Sequence, residues 1–340
     1  MKRKVLFLML SAITLVFLIS VIGCTSQSNE QRQQRPQKRY LFPSDYMADP
    51  AVHVFNGRLY IYPSHDWRSG ITSNATGDAY DMKDYHVLSL DDVENGTVTD
   101  HGVILDIKDI PWATRQLWDN DVAHKDGVYY LYFPARDKSD IFRIGVAIAN
   151  RPEGPFVPQP EPIPGSYSID PCVFEEDGEY YMYFGGMGKF PRGISNAPRV
   201  VRLSQDMLHL AEEPREVVIL NQNGRPVSQS DNSRRFFEAS WMHKYDGKYY
   251  FSYSTGDTHR LCYAIGDNPY GPFTYQGIIL TPVVGWTTHH SIVEYNGKWY
   301  LFHHDSRPSG GVDWLRSLKV VELTYNPDGT IQTINGGGTW

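Results

Sequence analysis

Cysteine is scarce in this chain of 340 residues, with only Cys24, Cys172 and Cys262. Cys24 closes an N-terminal apolar run. Cys172 and Cys262 could pair outside the cytoplasm, yet their strand-like surroundings suit two separate buried thiols equally well, so the count settles neither. Positive charge is also in short supply: 32 Lys and Arg against 39 Asp and Glu leave a net charge of −7. No basic stripe interrupts that balance, which argues against nucleic acid as a partner. After about Arg39 there is no Pro/Gly/Ser-rich break. Residues 39–340 therefore read as one domain, with enough Tyr, Phe and Trp to bury a large core.

The N-terminus reads as an address rather than as fold. Lys2, Arg3 and Lys4 precede an apolar run from Val5 to Ile22, the pattern of a secretory signal peptide. The run approaches membrane-spanning length, but it ends on Gly23-Cys24, which resembles a bacterial lipobox. This predicts a lipoprotein signal over 1–23, lipidation of Cys24 and a polar tether over 24–38 that cannot bury a core. The expected location is the bacterial cell envelope, periplasmic or surface-exposed, held to the membrane by the lipid.

What the rest of the chain has is a repeat. Asn-Gly or Asp-Gly followed three residues later by Tyr occurs five times: Asn56-Gly57…Tyr60, Asp126-Gly127…Tyr130, Asp177-Gly178…Tyr181, Asp246-Gly247…Tyr250 and Asn296-Gly297…Tyr300. These pairs favour type I′ hairpin turns, because both central positions need positive φ. Each turn leads into an aromatic-rich strand such as Tyr129-Tyr130-Leu131-Tyr132-Phe133. Hairpins recurring every 50 to 70 residues predict an all-β, five-bladed β-propeller.

The repeat also serves as a ruler. Eight residues before the five turn glycines stand Asp49, Asp119, Asp170, Ala239 and His289, with Glu238 one step before Ala239. In a propeller the first strand of each blade starts near the axis, so these positions should converge. Ionisable residues at four of five equivalent starts exceed what a chain about one-quarter charged supplies by chance. Glu238 lies among Phe236, Phe237 and Trp241, apolar surroundings that would raise its pKa. Two aspartates and one raised glutamate in a single pocket suit acid–base cleavage of a glycosidic bond.

Four segments carry a family resemblance: Ala48-Asp49-Pro50, Ile169-Asp170-Pro171, Phe237-Glu238-Ala239 and His289-His290-Ser291. In order and in phase with the repeat, they resemble glycoside hydrolase family 43, five-bladed propellers that cleave arabinose- and xylose-containing polysaccharides with inversion. The resemblance spans about residues 40–335. Ile169 stands where the retaining fructan-cleaving propellers have arginine, and Ala48-Asp49-Pro50-Ala51 lacks their longer first motif. The resemblance implies Asp49 as general base, Glu238 as general acid, and Asp170 as the residue that orients Glu238 and keeps its pKa raised. An inverting pair should stand about 6.5–9.5 Å apart.

By the same resemblance, Arg316 in Trp314-Leu315-Arg316 would reach a sugar hydroxyl, and His289 would contribute to a central calcium or water cluster. Thr288 replaces the usual glycine before it, so either His289 or His290 could face the pocket, and His290 is counted among the candidate substrate-binding residues. Trp118 could stack on a sugar. In blade two the ruler selects Asp119, while the family spacing matches Asp121, and both stay open. No cofactor is needed for the chemistry. The expected activity is an exo-acting α-L-arabinofuranosidase first and β-D-xylosidase second, since the long segment from Ser64 to Asp84 could wall off one end of a groove. No β-sandwich module follows before Trp340, a departure from the larger two-domain β-xylosidases. Endo-acting arabinanase or xylanase activity, and a non-catalytic glycan-binding lipoprotein, are the alternatives. The survival of Asp49, Asp170 and Glu238 together favours catalysis.

Overall fold

The computed structural model describes residues 39–186, 197–286 and 288–338. The expected signal peptide, Cys24 and the tether lie outside them. Five antiparallel sheets form the five blades of a β-propeller, with only three single 3₁₀ turns as helical structure among the described residues. Blade one contains Met47–Phe55, Arg58–His65, Asp84–Leu90 and Thr99–Asp106. Blade two runs through Asp121–Lys125, Val128–Arg136, Phe142–Ala149 and Val157–Pro158. Blade three comprises Cys172–Glu176, Glu179–Phe184, Arg199–Arg202 and Arg215–Glu216.

Blade four joins Glu238–Tyr245, Lys248–Ser254, Leu261–Gly266 and Phe273–Leu280, and gains the parallel strand Ile219–Leu220 at its outer edge. Blade five has His290–Tyr295, Lys298–Asp305 and Ser317–Leu323. Its fourth strand comes from the other end of the domain: Arg39–Tyr40 pairs with Ser317–Leu323, in the register Arg39↔Val320. This pairing closes the ring.

All five repeats fold as their chemistry requires. Asn56, Asp126, Asp177, Asp246 and Asn296 have φ between 46° and 52°, and the glycines after them between 72° and 80°. These values define a type I′ turn at every first hairpin. The aromatic strands supply the packing between blades. Tyr62, Tyr85, Leu131 and Phe133 fill the seam of blades one and two, while Leu41, Met47, Phe302 and Val320 fill that of five and one. Cys172 and Cys262 are both buried and free, which resolves the open alternative in favour of two separate thiols.

Candidate active site

The five ruler positions meet at one end of the axis. Asp119, Asp170 and His289 each precede the first strand of their blade, where backbone leaves the ladder and turns inward. Asp49 lies inside its strand, at a bulge where pairing slips between Ala48 and Ala51, so Pro50 falls where no ladder bond is needed. Asp49, Asp170 and Ala239 share left-handed backbone, with φ of 50°, 58° and 64°. Aspartate tolerates this conformation, but alanine does so at a cost of about 1–2 kcal/mol. In blade four the bulge between Glu238 and Trp241 turns Glu238, rather than the ruler residue, toward the axis.

A cavity of about 950 Å³ opens over this point, and Asp49, Asp119, Glu238, His289, Arg316 and Trp118 all line it. Asp170 sits beneath, 1% exposed. Its Oδ2 accepts the Ala239 N–H at 2.7 Å, which fixes the backbone directly after Glu238. Asp119 faces the cavity, whereas Asp121 is buried in structural contacts. Asp121 Oδ1 meets His53 Nε2 at 2.5 Å, and its Oδ2 accepts the Val173 N–H at 2.6 Å, tying blades one, two and three together.

The expectation that His290 binds substrate is corrected. His290 is the first residue of its strand, fully buried, with Nε2 2.6 Å from Ser252 Oγ. Strand alternation sends His289 to the pocket and His290 into the seam with blade four.

Arg316 reaches acids as well as the cavity. Its Nε and Nη2 donate to the two oxygens of Asp66 at 2.8 Å, and Nη1 donates to Asp49 Oδ1 at 2.7 Å. Asp49 Oδ2 has no hydrogen-bond partner among the described residues. His304 Nδ1 accepts the Asp49 backbone N–H at 3.1 Å, so that nitrogen carries no proton and its approach to Oδ1 is not an ion pair. The general-base candidate therefore has one oxygen held by arginine and the other left for chemistry.

The pKa of Glu238 is raised to about 7, by burial first and then by the charge of Asp119, with His289 and Arg316 pulling it back. Asp119 is the charge that adds to burial at Glu238, and Glu238 and Asp170 repel one another. Asp170 is itself held well above the carboxylate range, by burial and then by Asp119 and Glu238. The carboxyl of Asp49 is also pushed up by burial, with Arg316 as the main opposing charge. Burial works against both ions of the Asp119–His289 pair. Their 2.6 Å contact nevertheless keeps Asp119 well below its ordinary range and raises His289. The centre thus sets a raised Glu238 and a lowered Asp119 in one pocket with Asp49, whose burial Arg316 opposes.

The segment after Asp66 forms one wall, with Ser73 to Asp78, Tyr80 and Met82 all on the cavity. Arg115 pins it, donating to Asp78 at 2.7 Å and to Asp140 at 2.8 Å, and Gln116 donates to the Gly77 carbonyl at 2.8 Å. At Gly77 (φ 72°) an added Cβ would lie 3.0 Å from the Trp118 ring, so the wall packs closely against that indole. The Trp118 N–H donates to Tyr80 O at 2.8 Å, leaving its ring to shape the cavity.

Asp66 and Arg136 escaped the sequence reading. Each stands nine residues after a turn glycine, at the axial end of the second strand, so the ruler run forward would have found both.

Comparison with known proteins agrees with this geometry. The family model for glycosyl hydrolases family 43 matches residues 47–331. A xylosidase/arabinosidase of Bacteroides ovatus is 64% identical over 321 residues, covering 89% of this chain and 99% of its own. The solved RS223 β-xylosidase superposes with a TM-score of 0.86 at 66% identity, over 88% of this chain and 98% of its own. CoXyl43, a β-xylosidase/α-arabinofuranosidase from a compost microbial metagenome solved with xylotriose in a calcium-free form, gives 0.85 at 57% identity. It covers 89% of this chain and 100% of its own.

Proposed function

Because the chain belongs to glycosyl hydrolase family 43 and is a glycoside hydrolase, we propose that its pocket releases single terminal pentoses by inversion. The substrates are xylose- and arabinose-containing oligosaccharides. β-D-xylose stands ahead of α-L-arabinofuranose, reversing the expected order, since all three relatives carry xylosidase in their names. The observation that carries the reading is the carboxyl pair under a walled cavity: Glu238 with a pKa near 7, and Asp49 with one oxygen uncommitted. The wall of residues 73–78 favours exo action, because it bounds one side of the cavity.

Protonated Glu238 donates to the glycosidic oxygen as the C1–O bond breaks. A water on the opposite face of the sugar attacks C1 and gives its proton to Asp49 Oδ2. The product sugar has inverted configuration, and Glu238 and Asp49 exchange protons with solvent before the next turnover. Arg316 holds Oδ1, and its charge opposes the burial that disfavours ionised Asp49. Asp170 positions Glu238 through the Ala239 N–H.

The residues fit a calcium ion at the axis. Asp49, Asp119 and His289 offer ligand atoms within 4.8 Å of one another, and Asp49 Oδ2 and Asp170 Oδ1 are buried without hydrogen-bond partners. His289 would hold the ion, with the two carboxylates beside it, and the bound charge would help keep them ionised.

The test is hydrolysis of xylobiose and of nitrophenyl β-D-xyloside and α-L-arabinofuranoside, with the anomer followed by proton NMR. Initial release of α-xylose from β-xylosides supports the reading, whereas β-xylose refutes inversion. The lipid anchor is proposed on Gly23-Cys24 and the preceding run. Cys24→Ala should move the protein from the membrane to the soluble fraction.

A further inference from the structure

Away from the axis, a second cluster stands at the neck of the segment that walls the pocket. His65 ends the second strand of blade one, and Asp84 begins the third, with His86 two residues further on the same face. Between them run residues 66–83, which include the cavity wall. The side chains of His65, Asp84 and His86 offer one ligand atom each within 4.8 Å of one another. They are 20%, 24% and 13% exposed, so an ion can reach them from solvent.

We propose that His65, Asp84 and His86 form a zinc-type transition-metal site that clamps the neck of the pocket wall. His65 Nδ1 lies 2.6 Å and His86 Nε2 3.8 Å from Asp84 Oδ1. Ligands around a tetrahedral zinc at 2.0–2.1 Å stand roughly 3.3 Å apart. One distance must therefore open by about 0.7 Å and the other close by about 0.5 Å. Ion pairing accounts for the His65 contact but not for His86, whose Nε2 is aimed at Asp84 from beyond hydrogen-bond reach.

The outer ring nitrogens already have the partners a metal site needs. His86 Nδ1 meets Asp100 Oδ1 at 3.0 Å, and His65 Nε2 lies 3.3 Å from Asp45 Oδ2. A carboxylate behind each ligating imidazole orients the ring and strengthens its donor nitrogen. Two imidazoles with one carboxylate suit zinc or cobalt rather than calcium or magnesium. An ion there would close an 18-residue loop at its base, the arrangement in which a metal clip restricts the unfolded chain most effectively.

The test uses tag-free protein carrying His289→Ala, so that the axial cluster does not compete. Zinc chloride is titrated by calorimetry, and cobalt(II) is followed by its visible absorption. The expected result is one zinc per chain, intense tetrahedral cobalt bands and a Tm that rises with zinc. His86→Ala should abolish the bands. Asp100→Asn, at the exposed end of the cluster, should weaken zinc about 10–100-fold without lowering the metal-free Tm. Absence of saturable binding, or zinc affinity unchanged in both variants, overturns the proposal.

Discussion

The pKa of Glu238 makes a quantitative claim about the rate at neutral pH. An ordinary glutamate, with a pKa near 4.3, is about 0.2% protonated at pH 7. With a pKa of about 7, Glu238 is about half protonated there. Burial and Asp119 therefore raise the population of competent acid roughly two hundredfold. On the alkaline side kcat/KM should fall with an apparent pKa near 7, losing about tenfold per pH unit beyond pH 8. Glu238→Gln cannot donate. It should lose about 10²–10⁴-fold on xylobiose, whose leaving group needs a proton, and far less on nitrophenyl xyloside, whose leaving group does not. The assay is kcat/KM from pH 4 to 9 on both substrates for both proteins. The alkaline limb on xylobiose should disappear with Glu238→Gln. A limb that survives the substitution, or a wild-type limb centred near pH 4–5, would refute the assignment of Glu238 as the acid.

The same shift predicts a change in stability. Because the folded state holds the Glu238 proton more tightly than the unfolded chain, its contribution is complete below about pH 4.5 and is lost as pH rises through about 7. Glu238→Gln should therefore gain Tm relative to wild type at pH 8 compared with pH 5, and a gap that narrows toward pH 8 in differential scanning calorimetry contradicts this. Arg316→Lys keeps the charge but cannot hold both oxygens of Asp66 and Asp49 Oδ1 together. It should cost about 2 kcal/mol in urea unfolding and at least about tenfold in kcat; unchanged kcat would remove Arg316 from control of the base. His290→Ala should lower stability by about 2–4 kcal/mol through the lost buried ring and its Ser252 contact. Its KM should stay within about twofold of wild type, and a large rise in KM would return His290 to the substrate site.

Local chemistry made the fold legible. An Asn-Gly or Asp-Gly pair favours positive φ at two successive residues, but Asn95, Asn223, Asp328 and Asn335 also precede glycine without adopting it, so the pair marks a hairpin here only with the Tyr three residues on. Five such pairs at regular spacing therefore carried the blade count. The axial cluster followed from the same periodicity, since equivalent strand starts must meet wherever blades are arranged around an axis. What the spacing could not carry was side-chain direction. His289 and His290 differ by one residue, and only the register of their strand, with His290 opposite His303, decides which enters the seam. Asp119 and Asp121 are two residues apart, and the choice between them depends on where the ladder of blade two begins, at Asp121.

The one-residue offset at Glu238 shows how position became chemistry. At Asp49 and Asp170 the ruler residue is the functional carboxylate, in left-handed backbone that aspartate tolerates. In blade four that backbone conformation falls on Ala239, whose N–H is held by Asp170, and the carboxylate moves to the residue before it. Asp170 then lies under the acid with no access to the cavity, while burial and then the like charge of Asp119 keep Glu238 protonated. Positioning and proton affinity are thus divided between two aspartates. The consequence is separable: Asp170→Asn should impair placement of Glu238 and lower kcat with little movement of the alkaline limb. Asp119→Asn removes a repelling charge and an attracting imidazolium together, so its effect on that limb is the difference between the two.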